Sequence, residues 1–242
     1  MRSVYVNLDR ATDRRAWMER QAEIARIEIE RVPAVDGRSL TADEIAAVTT
    51  NSRLSKGAIG CFLTHRRIWK DMLESSRSHL AIFEDDARIS PSASLFLADA
   101  AWIPADADIV RLEKKQSRPV ASVASIPTLD DRELRRLYGK DAGTAGYIIS
   151  WDCAAILSAC LTQLTAEFDQ MLFNRRSPIC RSLRIYKLYP SLCIQDQETF
   201  PGSIDRAKLL PRFIENAMIG AQRCLDRLRA PEPTRRYAAE FR

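Results

Sequence analysis

The chain is poor in histidine and glycine and has no paired cysteine motif. Two His and six Cys occur in 242 residues. Cys61, Cys153, Cys160, Cys180, Cys193 and Cys224 form no Cys-x-x-Cys pair, so no zinc site is expected. Most of these thiols have apolar neighbours, which suggests buried free cysteines and a reducing compartment. The eight glycines match neither G-x-G-x-x-G nor the P-loop. No run of about 18 uncharged apolar residues is present, so no bilayer span is expected. Strand-like sequence from Ser3 onward leads us to expect no signal peptide. There is no internal repeat and no low-complexity run. Before Arg206 the charges balance, with 28 basic and 28 acidic residues. A neutral body of this kind lacks the large basic face that nucleic acid requires.

What is present is an ordinary soluble composition, 46% hydrophobic and 29% charged, long enough for one large domain or one domain with an appendage. Apolar strands alternate with helical stretches, which argues an α/β fold with a mostly parallel sheet. Strands are expected at Val4 to Leu8, Ile29 to Val35, Ile109 to Leu112, around Tyr147 to Ile149, and at Ile185 to Leu188. Helices are expected from Thr12 or Asp13 to about Arg26, after the capping box Thr41-Ala42-Asp43-Glu44, from Gly57 to about Ser75, from Pro91 to Trp102, and from Trp151 to Leu164. The stretch from Glu113 to about Lys140 is polar and reads as a long excursion.

The stretch Leu80-Ala81-Ile82-Phe83-Glu84-Asp85-Asp86 organises the rest. Four apolar residues suit a strand covered on both faces. The three carboxylates then fall at its carboxyl end, where open α/β sheets bind ligands. Adjacent negative charges repel, and a divalent cation is the usual compensation because hard ions prefer carboxylate oxygens and can bridge to phosphates. In extended backbone Glu84 and Asp86 share one side and Asp85 takes the other. Asn7, the Asp13-Arg14-Arg15 run, Gly60 and His65, and Gly143-Thr144-Ala145-Gly146 also fall at strand ends or on helices beside them.

In this order the signals resemble a known family. The matching text is Val6-Asn7-Leu8-Asp9-Arg10 with Asp13-Arg14-Arg15, then Arg31-Val32-Pro33-Ala34-Val35-Asp36-Gly37. Gly60-Cys61-Phe62-Leu63-Thr64-His65 with Trp69 follows, and then Ile82-Phe83-Glu84-Asp85-Asp86. Thr144-Ala145-Gly146-Tyr147-Ile148-Ile149-Ser150, Phe168-Asp169 and Tyr189-Pro190 complete the series. Over roughly Ser3 to Ile204 the chain resembles glycosyltransferase family 25, which holds bacterial lipooligosaccharide galactosyltransferases and the collagen galactosyltransferase domains. It departs from the family pattern at Ala58, where an acid is usual, and at Thr64, where Ser is usual.

The resemblance implies a GT-A-like, Rossmann-like domain over residues 1–205. It implies a metal-dependent, inverting transfer of a hexose, galactose foremost, from a nucleotide sugar such as a UDP-sugar to a saccharide or lipid-linked saccharide acceptor. Glu84 and Asp86 are assigned to Mn²⁺ or Mg²⁺. Asn7, Arg14, Asp85 and Gly146 are assigned to the donor, with the metal as the alternative for Asp85, and Asp169 to the general base, with His65 as its alternative. A metal-dependent nucleotidyl or phosphoryl transferase, or a non-catalytic sugar-binding module, are the competing classes. Residues 206–242 carry all of the net charge of +5. Leu209, Leu210, Phe213, Ile214, Met218, Leu225 and Leu228 recur there near helical spacing. This tail is expected to be a basic amphipathic helix that packs on the domain or lies on the cytoplasmic face of a membrane. Its last residues, Thr234 to Arg242, are expected to fray.

Overall fold

The computed structural model describes residues 1–115, 117–200 and 222–242. Its strands are β1 (Arg2–Asn7), β2 (Glu30–Pro33), β3 (His79–Glu84), β4 (Ala87–Ile89), β5 (Ile109–Arg111), β6 (Glu113–Lys114), β7 (Val120–Ser122), β8 (Ile126–Pro127), β9 (Glu133–Arg136), β10 (Gly146–Ser150), β11 (Ile185–Tyr189), β12 (Cys193–Gln195) and β13 (Thr234–Arg236). Its named helices are α1 (Thr12–Ala25), α2 (Ala42–Ala46), α3 (Lys56–Leu73), α4 (Ala93–Leu97), α5 (Trp151–Cys160), α6 (Phe168–Phe173) and α7 (Pro178–Ser182). A further helix covers 222–229.

Eight strands form the main sheet in the order β2-β1-β3-β10-β5-β11-β9-β8. The pairings leave six strands running one way and β10 and β9 the other. The fold is therefore α/β, with a mostly parallel sheet between layers of helices. Antiparallel β10 sits in the middle, so its amino end lies beside the carboxyl ends of β3 and β5.

The run before the acids is apolar because both faces of β3 are covered. Leu80 and Ile82 face a core with Ile59, Phe62, Trp69 and Met72 of α3, whereas Ala81 and Phe83 face Met18 of α1 and Phe96 of α4. The pleat sends alternate residues to opposite layers. Burying each large apolar side chain contributes about 1.5–3 kcal/mol. Ser55 caps α3 by accepting from Ala58 N at 3.1 Å. The capping box of α2 forms as expected from Thr41 and Glu44.

Three expectations are corrected. The helix expected over Pro91 to Trp102 is only α4. The amino-terminal ammonium takes Leu97 O and Ala98 O at 2.6 and 2.7 Å, and Trp102 Nε1 takes Phe96 O at 2.8 Å. The carbonyls that would have continued the helix are thus already satisfied. The excursion after Glu113 holds β6 to β9, and β9 pairs antiparallel with β11. The chain end does not fray. β13 pairs with β7, Ser191 N donates to Glu240 O at 2.7 Å, and Arg132 donates to Arg242 O. Of the apolar tail residues, Leu209 to Met218 lie outside the described residues. Among the described residues no helix is long and apolar enough to cross a membrane.

Candidate active site

The site is assembled at strand ends. Asn7 closes β1, Glu84 closes β3, and Asp85 and Asp86 form the turn into β4. Thr144 to Gly146 arrive on the amino end of β10, and β12 runs alongside β4.

The three acids have different partners. Asp85 accepts from Asn7 Nδ2 at 2.7 Å and from Arg14 at 3.0 Å, so both its oxygens are occupied. Asp86 Oδ2 accepts from Gln195 at 3.0 Å and lies 3.5 Å from Arg14, while its Oδ1 is buried without a hydrogen-bond partner. Glu84 Oε1 accepts from the Thr144 hydroxyl. Burial, and then the charge of Asp86, push the Glu84 carboxyl up to about 8, against the pull of Thr144. Burial also raises Asp86, although Gln195 and Arg14 oppose it. Two adjacent carboxylates are thus short of positive charge, and one buried oxygen lacks a donor. These hard oxygen atoms fit a Mn²⁺ or Mg²⁺ ion. Glu84 and Asp86 are the residues that would hold it, and Asp85 is already committed to Asn7 and Arg14.

Asn7, expected to touch the donor, is 1% exposed. Its amide donates to Ala11 O and Asp85, and its oxygen accepts from Arg31 at 3.0 Å. It positions Asp85. Arg14 remains partly accessible and lies over the Phe200 ring at 5.1 Å, so its guanidinium edges the acids. Gly146 is packed instead of open. A Cβ there would overlap Cys193 Sγ and press on the Phe83 ring, so glycine lets β10 and β12 close on β3.

His65 is fully buried, with Nδ1 2.8 Å from Tyr147 Oη. Burial pushes its imidazole down to about 3, which leaves it little basicity as an alternative base. Asp169 opens α6 and is 8% exposed. The neighbouring Phe168 packs against His65, Trp69 and Phe62 and so sets α6 against α3. Burial pushes the Cys61 thiol well up, and the charges of both Glu84 and Asp169 add to this. The charges of the base candidate and of the first acid therefore both reach the same thiol. At Thr64 the hydroxyl accepts from Val35 N at 2.8 Å and donates to Gly60 O at 2.7 Å, stitching the end of β2 to α3.

Sequence reasoning missed a buried charge cluster behind the site. Arg111, Glu113, Asp141 and Lys187 are all fully buried. Arg111 donates to Glu113 at 3.1 Å and to Asp141 at 3.4 Å, and Lys187 donates to Asp141 at 2.6 Å. Burial alone would raise Asp141, but Lys187 and Arg111 outweigh it and hold the carboxyl below its usual range. Glu113 also accepts from Ala145 N at 3.2 Å and pairs with Lys115. Gly143 has φ +124, and any Cβ there would meet Lys115 and Glu113. The cluster thus fixes the loop that presents Thr144 to Glu84. The alternation Arg111-Leu112-Glu113, which puts both charges on one face, was the signal available.

A wide cleft lined by Met1, Arg2, Glu30, His79 and Asp99 opens at the amino ends of β1 and β3. It lies opposite the acids and contains none of them.

The first 172 residues match the family model described as glycosyltransferase family 25 (LPS biosynthesis protein). The match covers well over half of the sequence and defines the class as glycosyltransferase. The chain belongs to family 25.

Among its relatives, the lacto-N-neotetraose biosynthesis glycosyltransferase LgtE of Neisseria meningitidis serogroup B is 26% identical, with 94% of this chain and 82% of that protein aligned. The lipooligosaccharide biosynthesis protein lic2B of Haemophilus influenzae is 26% identical over 64% of this chain. This chain spans 59% of the length of lic2B. A solved glycosyltransferase involved in glycosylation of the major capsid of PBCV-1 aligns over 90% of this chain and 98% of its own, at 9% identity and a TM-score of 0.44.

Proposed function

We propose that the protein transfers a hexose, galactose foremost, from a UDP-sugar to a saccharide acceptor of the lipopolysaccharide core type, with inversion and with Mn²⁺ or Mg²⁺. The observation that carries this is the pair Glu84 and Asp86, one carboxyl pushed up to about 8 and the other with a buried oxygen that no hydrogen bond reaches. Bound there, the ion would neutralise charge on the leaving diphosphate. Asp85, held by Asn7, fixes Arg14 at the edge of the acids, where its guanidinium can meet phosphate oxygens. Asp169 takes the proton of the acceptor hydroxyl. The acceptor class follows the relatives, which are lipooligosaccharide and lacto-N-neotetraose biosynthesis proteins. A lipid-borne acceptor would be met at the cytoplasmic face of the membrane, with the basic residues after Arg206 near anionic headgroups.

Purified protein incubated with a panel of nucleotide sugars and Mn²⁺ tests this. One donor should release its nucleoside diphosphate and free sugar slowly, and Asp86→Ala should abolish the release while keeping the fold. Release of pyrophosphate would instead mark a nucleotidyl transferase. An unchanged rate in Asp86→Ala would remove the acids from the reaction.

A further inference from the structure

Three donor atoms of different chemistry meet beside the acids. Cys61 and His65 stand four residues apart on α3, so their side chains leave the same face of the helix. Glu84 reaches them from the end of β3. One ligand atom from each of the three lies within 4.8 Å of the others. His65 is fully buried, its Nδ1 is taken by Tyr147, and its Nε2 has no partner. Tyr147 is itself held by Trp69 Nε1 at 3.2 Å, and Phe168 packs on the imidazole at 4.8 Å between ring centroids. The ring is therefore locked, and Nε2 is the nitrogen left for a ligand.

We propose that Cys61, His65 and Glu84 form a cation site for a divalent ion of the zinc class, with a fourth position left for water or a substrate oxygen. Sulfur, imidazole and carboxylate together are the donor set such an ion prefers, and Mg²⁺ does not. With bonds of about 2.0–2.3 Å, tetrahedral ligand atoms stand roughly 3.3–3.7 Å apart. With all three atoms within 4.8 Å of one another, the closure needed is only about 1 Å. On binding, the Cys61 S–H bond breaks, its proton leaves to solvent and a sulfur–metal bond forms. His65 enters as the neutral imidazole protonated on Nδ1, whose N–H donates to Tyr147 Oη, the outer partner that holds a ligating histidine in place. Glu84 is shared with the donor ion, so this ion is an alternative occupant of that carboxylate, whereas Cys61 and His65 belong to this site alone.

Cobalt(II) occupies zinc sites and gives a thiolate-to-cobalt charge-transfer absorption in the near ultraviolet. Titration of the full chain with Co²⁺ should saturate this band at one equivalent. Cys61→Ser should lose the band, and His65→Gln should weaken binding at least tenfold. Cys160→Ser, at an exposed thiol, should keep it. Asp86→Asn should keep it too, which separates this site from the donor ion. The absence of a band in the parent protein, or its survival in folded Cys61→Ser, would overturn the site. Should Cys61→Ser not fold, alkylation of the parent protein decides. One equivalent of Zn²⁺ must slow modification of Cys61 at least tenfold by peptide mass spectrometry, and an unchanged rate overturns the proposal.

Discussion

Replacing Glu84 by Gln removes the carboxyl that the fold holds most unwillingly as an anion. In the folded chain it is raised from 4.5 to about 8 by burial and by Asp86. In the unfolded chain it ionises near its ordinary value. Between pH 4.5 and pH 8 the folded state therefore holds a proton that the unfolded state has lost, so stability falls as pH rises through that window. A full transfer between these two values corresponds to at most about 5 kcal/mol, at about 1.4 kcal/mol per tenfold. Glu84 is partly solvated and shares its repulsion with Asp86, so a loss of about 1–3 kcal/mol is the realistic expectation. Urea unfolding at several pH values from 5 to 9, without divalent ions, should show this decline in the parent chain. The decline should be shallower by that amount in Glu84→Gln. An ion bound at Glu84 and Asp86 must displace the proton, so Mn²⁺ should bind more tightly as pH approaches 8 and should flatten the profile. Parallel stability profiles for the two proteins would refute the assignment of a raised carboxyl to Glu84.

Three further outcomes are expected. Asp169→Asn should leave donor binding unchanged and slow transfer by roughly 10²–10⁴-fold, the range for a general base, in assays with a saccharide acceptor. Gly146→Ala should destabilise the fold by about 1–3 kcal/mol through overpacking against Cys193 and Phe83, read by thermal or urea melts. Asp141→Asn leaves Lys187 without its anionic partner and Arg111 with Glu113 alone, and should cost about 3–5 kcal/mol; a silent substitution would show that the cluster does not hold the Thr144 loop.

The parts of this protein legible in its sequence are those whose cause is local. β3 could be read because burial on both faces demands an unbroken apolar run, and its polarity switch at Glu84 marks the sheet edge. The capping box at Thr41 and the stripe on α3 are local in the same sense. The hairpin of β8 and β9 was hidden because β9 pairs with β11, some fifty residues later, and its own residues Glu133 to Arg136 carry three charges. The anchored chain end was hidden for a related reason, since its partners on β7 and at Ser191 are distant in sequence. At the site, residue type suggested which groups were polar but not what each one touches. Asn7 and Gly146 carry resemblance to donor-binding text, yet one spends its amide on Asp85 and the other gives up a side chain so that Cys193 and Phe83 can close. Cys61 and His65 form a Cys-x3-His pair, a spacing that means nothing in a loop and a shared face on a helix. Only the packing of α3 against the end of β3 brings Glu84 to them. The chemistry of this strand end is thus set by two layers at once. The sheet supplies charge in excess, and the helix beside it brings sulfur and nitrogen atoms within reach of that charge.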